Sequence, residues 1–324
     1  MGRDMSFAPF ADELKCSLSG VSDWDYWHDI DSMVSVELAA YDRWNSNRLS
    51  IGPNSRGITE ALGGSLGYAS APSEELARER ILGIEELSLL APADGDDPQL
   101  AVFFEALAQL ADRFDGKVEI EASIGGPLTI ASFLRGPENL VRDCRRRPDF
   151  VESLLDVVVE TQRRCIAKIA SCGGFVAMAD PMANPALIGP ALYETMVLPR
   201  TMELAKLAEK SCGRGPSLHM CGRTESIWPC LKRLPLYELS LDNAIDLSQA
   251  VECFGDCFRV CGNVDPVSVI RDGTRDQIEA AVRNCALVGS RARCGFTLAP
   301  GCDVPADAAF EKVDWFMDAC LAVS

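Results

Sequence analysis

Histidine is nearly absent from this chain: there are two in 324 residues, His28 and His219. That scarcity narrows the chemistry. A zincin helix needs the His-Glu-x-x-His pair, and neither histidine has it. A Ser-His-Asp hydrolase is weakly supported, because the one well-placed histidine adjoins a cysteine suited to metal. The Gly-x-Gly-x-x-Gly fingerprint of a dinucleotide site is also missing. No run of about 20 apolar residues exists to span a bilayer. The opening Met1 to Pro9 contains Arg3 and Asp4 and no apolar stretch follows, so no secretory leader is expected and the setting is expected to be cytoplasmic. Basic clusters are scarce as well. Against 31 Lys and Arg stand 48 Asp and Glu, a formal charge of −17, which argues against a nucleic-acid backbone as ligand. The lone basic run, Arg145-Arg146-Arg147, is expected to be a solvated helix end.

Apolar residues are not scarce: 48% of the chain is hydrophobic, enough for a large core. Fourteen cysteines are scattered without a framework spacing, so most are expected to be small buried hydrophobes in a reducing compartment. From about residue 117 onward short strands and helices alternate. Strands are expected over 117–124, 175–179, 217–220, 236–239, 258–261 and 294–298. Helices are expected over 98–113, 128–134, 148–170, 189–209, 224–231, 248–254, 274–288 and 306–321, with another starting near Ser73. One short strand per helix implies an α/β fold with a mainly parallel sheet. A single (β/α)8 TIM barrel is expected, with a doubly wound sheet as the alternative. Residues 1–50, which carry Trp24, Tyr26, Trp27, Tyr41 and Trp44, are read as an irregular cap or entrance segment, with at most a short helix from Asp29 to Tyr41. Residues 51–324 are read as the barrel.

Polar residues gather just after the strands: Asp180, His219, Cys221, Asp242, Asn243, Asn263, Asp265 and Cys302. In a barrel these positions share one face. His219 and Cys221 are two apart, so on extended chain they point the same way. With Cys302 they make a candidate tetrahedral metal site with one position open. The alternative is a satisfied histidine with two core cysteines. Cys253, Cys257 and Cys261 compete as thiolate donors without a nearby histidine, and Cys230 is expected to be structural. Asp180, Asp242, Asn263 and Asp265 are the candidate catalytic residues, against the simpler reading that short acidic side chains cap loops. A carboxylate is also expected to take the second ring proton of His219. His28 is expected to be a surface or lid residue.

Several stretches together carry a resemblance: Ala179-Asp180-Pro181, Ser217-Leu218-His219-Met220-Cys221-Gly222, Leu241-Asp242-Asn243-Ala244-Ile245-Asp246-Leu247, Cys261-Gly262-Asn263-Val264-Asp265-Pro266 and Leu298-Ala299-Pro300-Gly301-Cys302-Asp303-Val304-Pro305. Over roughly residues 55–320 the chain resembles the uroporphyrinogen decarboxylase superfamily. It is most similar there to the branch of zinc methyltransferases that work with corrinoid proteins, of which the coenzyme M methyltransferases of methanogens are members. The resemblance implies zinc held by His219, Cys221 and Cys302, and a corrinoid (cobalamin) carried by a partner protein. It implies methyl transfer between that corrinoid and a small molecule. Arg223 stands where the coenzyme M enzymes often have Asn. That departure and the aromatic-rich start favour a small methyl donor, a methoxylated aromatic being one, over a thiol acceptor. A methylcorrinoid:thiol transferase and a non-catalytic zinc-containing binding protein are the alternatives.

Overall fold

The computed structural model describes residues 5–323; Arg3 and Asp4, which bore on the leader, lie outside them. Eight strands form one parallel sheet: β1 Met5–Phe7, β2 Arg48–Ile51, β3 Glu119–Ser123, β4 Phe175–Ala179, β5 Ser217–Met220, β6 Glu238–Leu241, β7 Arg259–Val264 and β8 Phe296–Pro300. Their spatial order is β1-β8-β7-β6-β5-β4-β3-β2. Strands that are consecutive from β2 to β8 are therefore neighbours, which is the product of repeated βα units. The sheet curls, since Arg48 on the edge strand β2 reaches Glu238 on β6. The expected α/β barrel is thus met in strand number, parallel order and curvature. The ladder itself stops at β1 and β2, whose ends are tied by Asn47 Oδ1 accepting from Phe7 N (3.0 Å) and Ser46 Oγ donating to Phe7 O.

Helices cover the outer face. The longest, Pro148–Ser171, opens on proline at its first turn, where a missing N–H is harmless. It buries Val151, Leu154, Leu155, Val158, Cys165, Ile166 and Ile169, a stripe at helical spacing. Each such side chain contributes roughly 1.5–3 kcal/mol when fully buried. No described helix is long and apolar enough to cross a membrane.

Two stretches differ from expectation. Residues 5–51 are not irregular: the helix expected from Asp29 is present as Ile30–Trp44, and with it stand β1, β2 and the helices Asp12–Ser19 and Asp23–His28. Strands of three and four residues leave too little pattern to read, and β1 shows itself only through its ladder with β8, Met5 opposite Phe296 and Phe7 opposite Leu298. Conversely, no helix starts at Ser73. Residues 73–81 are nearly all exposed turns leading to a short antiparallel pair, Ser65–Leu66 with Glu79–Arg80. A charged segment with no face to bury gains nothing from coiling. Within that pair, Gly63-Gly64-Ser65-Leu66-Gly67 has the spacing of a nucleophile elbow. Ser65 Oγ accepts from Gly67 N there, on a hairpin rather than at the strand-to-helix turn such a nucleophile needs.

Candidate metal centre and cavity

β5 ends in the residues that matter most. His219 lies on the strand, Cys221 just past it, and Gly222 turns the chain with φ +70°, a conformation that favours glycine. A side chain at Gly222 would also meet Asn184 Nδ2 at 2.6 Å. Asn184 Nδ2 donates to Cys221 O (2.5 Å), and Gly222 N donates to Asp242 Oδ2 (2.7 Å). The thiol-bearing turn is therefore held from both sides. Cys302 follows β8 and approaches because the sheet curls across β7 and β6. Its loop is seated by Gly301 N donating to Val264 O (2.8 Å).

The three donor atoms of His219, Cys221 and Cys302 lie within 4.8 Å of one another, all half-buried. His219 Nε2 is 3.1 Å from Cys221 Sγ. A tetrahedral zinc with bonds of about 2.0–2.3 Å sets its donors roughly 3.5–3.8 Å apart, so the spacing suits one after a small adjustment. Nδ1 of His219 is occupied 3.0 Å from Ser240 Oγ, leaving Nε2 toward the cysteines. The Cys302 thiol is drawn down by hydrogen bonds from Cys221 and His219. Cys221 is pushed up by donating to Cys302 and by burial. One thiolate is thus already favoured, as metal binding requires.

The expected carboxylate partner of His219 is instead the Ser240 hydroxyl. The carboxylates stand behind the site as props. Asp180 is buried and accepts from Leu128 N (3.3 Å), Thr129 N (2.9 Å) and Thr129 Oγ1 (2.7 Å), at the start of helix Pro127–Arg135. Burial raises its pKa to about 6 against the pull of those bonds. Gly126 permits the approach, since a Cβ there would fall 2.1 Å from Asp180 Cβ. Asp242 also accepts from Ala244 N (2.8 Å). Asn263 Nδ2 donates to Asp242 O (3.0 Å) and Ile245 O (2.8 Å). Asp265 caps the helical turn Pro266–Arg271, accepting from Val267 N and Ser268 N. None of these four lines the cavity beside the cysteines. Cys261 is buried on β7 and Cys230 in the helix Trp228–Leu231; neither Cys253, Cys257 nor Cys261 joins the cluster.

That cavity, of about 800 Å³, is lined by His219, Cys221, Cys302 and Ser240 on one side. Residues 8–56 supply much of the rest, including Phe10, Tyr26, Trp27, Tyr41 and Arg56. His28 is packed in this segment, stacked on Trp24 with ring centroids 3.6 Å apart. Below the site the inward face of the sheet is polar. Arg48 bridges Glu121 (3.1 Å) and Glu238 (2.7 Å), while Ser217 donates to Glu121 and Thr297 to Glu238. Sequence reading missed this network and Ser240. The signal was present in the period-two sets Glu119-Glu121-Ser123, Ser217-His219 and Glu238-Ser240.

The family model described as uroporphyrinogen decarboxylase (URO-D) matches residues 10–323, a wider span than the sequence motifs cover. Among curated proteins, the chain is 28% identical over 198 residues to the "Methylated-thiol--coenzyme M methyltransferase" of Methanosarcina mazei, covering 59% of this chain and 51% of that protein. It is 24% identical over 227 residues to the "Methylcobamide:CoM methyltransferase MtbA" of Methanosarcina acetivorans, covering 69% and 64%. The alignments thus span between half and two thirds of these relatives' length. A solved structure of a "methyltransferase from Methanosarcina mazei" superposes with a TM-score of 0.79 over 99% of this chain and 94% of that one, at 20% identity, a likeness of fold.

Proposed function

The chain belongs to the uroporphyrinogen decarboxylase family, and from that premise we propose that it is a zinc-dependent methyltransferase working with a separate corrinoid protein. The direction we favour takes a methyl group from a small donor, with methoxylated aromatics as the class, to the corrinoid. The observation that carries this reading is the His219–Cys221–Cys302 cluster opening onto an aromatic-lined cavity of about 800 Å³.

Bound zinc would supply a Lewis-acid position open to one oxygen or sulfur from the cavity. The chain's own residues prepare it. Ser240 fixes the His219 ring, Asn184 and Asp242 fix the Cys221 turn, and Gly301 seats the Cys302 loop. Asp180, Asp242, Asn263 and Asp265 act through this positioning. Phe10, Trp27 and Tyr41 exclude water from the bound small molecule. Fourteen free cysteines suit a reducing, cytoplasmic setting.

A second reading, transfer from a methylcorrinoid to a thiol, is supported by the activities named for the Methanosarcina relatives. The open cavity over the cluster weighs against a non-catalytic binding protein. A pair of methyl-transfer assays, reduced free cobalamin against methyl ethers and methylamines and methylcobalamin against thiols, separates the readings. Methylation of cobalamin by ethers is expected. Consumption of thiols alone supports the second reading, and full-rate transfer by a metal-free Cys302→Ala protein overturns both.

A further inference from the structure

Four non-glycine residues among those described have positive φ: Phe10 (42°), Asn45 (45°), Asn54 (56°) and Asp115 (47°). Asparagine and aspartate tolerate this left-handed region, and Asn45 and Asp115 use it to end the helices Ile30–Trp44 and Pro98–Phe114. Phe10 ends no helix, and its side chain is bulky. Such a residue stays strained only where its surroundings over-determine it, and strain of this kind gathers at ligand sites.

The hold on Phe10 is visible on both sides. Ala8 N donates to Leu298 O (3.1 Å) on β8. Val304 N donates to Phe10 O (2.7 Å), and Asp12 N donates to Asp303 Oδ1 (2.9 Å). Residues 8–12 are thus stitched first to β8 and then to the loop that carries Cys302. The ring left between these stitches lines the cavity together with Cys302, and the Arg48 guanidinium lies over it, 5.9 Å from its centre.

Of the other aromatic rings in the wall, Tyr26, Trp27 and Tyr41 already stand edge-on to neighbouring rings, and Trp44 is buried. Phe10 and Phe133 meet no other aromatic ring among the described residues, and of these two only Phe10 is fastened to the Cys302 loop. Glycine would relax the backbone at this position, so the strain is the cost of keeping a ring there.

We propose that Phe10 is a specificity-determining residue, the platform on which a flat aromatic molecule stacks beside the cysteines. Offset stacking of two rings adds about two- to tenfold in affinity beyond the effect of buried area. The proposal rests on the methyl-ether reading above for its choice of ligand, but its test reads binding, which needs no methyl transfer.

The test compares methoxybenzene with cyclohexyl methyl ether, a saturated counterpart of similar size, by calorimetry and tryptophan fluorescence. Wild-type protein is expected to prefer the aromatic ether about two- to tenfold. Phe10→Leu, apolar without a ring, erases most of that preference, and Phe10→Tyr restores it. Phe10→Met serves should the leucine variant not fold. Phe133→Leu leaves the preference in place. A separate arm reads the strain: Phe10→Gly melts higher than Phe10→Ala, since both lack the ring and only glycine accepts the left-handed φ freely. An undiminished preference in Phe10→Leu, no preference in the wild type, or a Phe10→Gly protein that melts no higher than Phe10→Ala overturns the proposal. A Phe10-dependent preference without methyl transfer from any ether would leave the platform standing and remove the donor reading. Transfer from methoxybenzene at an unchanged KM in Phe10→Leu would do the reverse.

Discussion

His219 and Ser240 are register partners on adjacent strands, and His219 Nδ1 lies 3.0 Å from Ser240 Oγ. The hydroxyl fixes the ring so that Nε2 faces the two cysteines. Replacing Ser240 by Ala is expected to weaken zinc binding about 10–100-fold, the usual effect of removing a partner behind a metal ligand. Ser240→Thr should restore it. Chelator competition measures this directly, and unchanged affinity in the Ala variant would refute the orienting role.

Zinc is expected to bind at about one ion per chain through His219, Cys221 and Cys302 and, by mass action, to raise the unfolding temperature as its concentration rises. In Cys302→Ala, zinc should no longer raise the melting point. Metal analysis beside a thermal-shift titration checks both halves. A zinc-dependent shift that survives this substitution would place the metal elsewhere.

Asp180 accepts three hydrogen bonds at the start of helix Pro127–Arg135 and is 3% exposed, so its loss leaves buried donors stranded. Asp180→Ala is expected to cost about 2–4 kcal/mol, read as a lowered urea midpoint. Asp180→Asn, which keeps one acceptor oxygen in place, should cost less. Equal stability of the Ala variant and wild type would contradict the propping role.

Acid stability should depend on Glu119. Burial alone would raise its pKa, but a bidentate pair with Arg214 (2.7 and 2.7 Å) holds it below the usual 4.5. Arg214 is itself stacked on Phe175 and Tyr237, 3.7 and 3.9 Å from their ring centres. The folded state therefore binds this proton less readily than the unfolded chain. The contribution is full above 4.5 and fades as pH falls through the lower folded value. Glu119→Gln should lose about 1–2 kcal/mol near neutrality and show a flatter acid limb. An acid limb as steep as the wild type's would refute this assignment.

The strands from β3 onward were legible because turn signals bound them clearly, and the proximity of His219 to Cys221 because the two share one strand's direction. β1 and β2 were not, being too short for a pattern. The alternation at Glu119-Ile120-Glu121-Ala122-Ser123 identified a strand but not which face lay inside. Polar alternation ordinarily marks a solvent face. Here Glu121 is only 5% exposed, because Arg48 and Ser217 meet it across the curled sheet. Ser240 depended on ladder register, and the aromatic wall on how residues 8–56 line the cavity. Neither follows from local spacing.

The loop of Cys302 is also fastened to the start of the chain. Val304 N donates to Phe10 O (2.7 Å), Asp12 N donates to Asp303 Oδ1 (2.9 Å), and Ser6 Oγ lies 2.9 Å from Thr297 Oγ1. Partners separated by 291 residues close a long loop at an entropic cost, and such pairings form slowly. During synthesis His219 and Cys221 emerge well before Cys302. Under the zinc-site proposal, two donors alone would hold the metal weakly, and firm capture would wait until both ends of the sheet have met. A metal so held would latch a completed molecule, and the rate at which refolding chains acquire tight zinc would be a clock for the final closure of the fold.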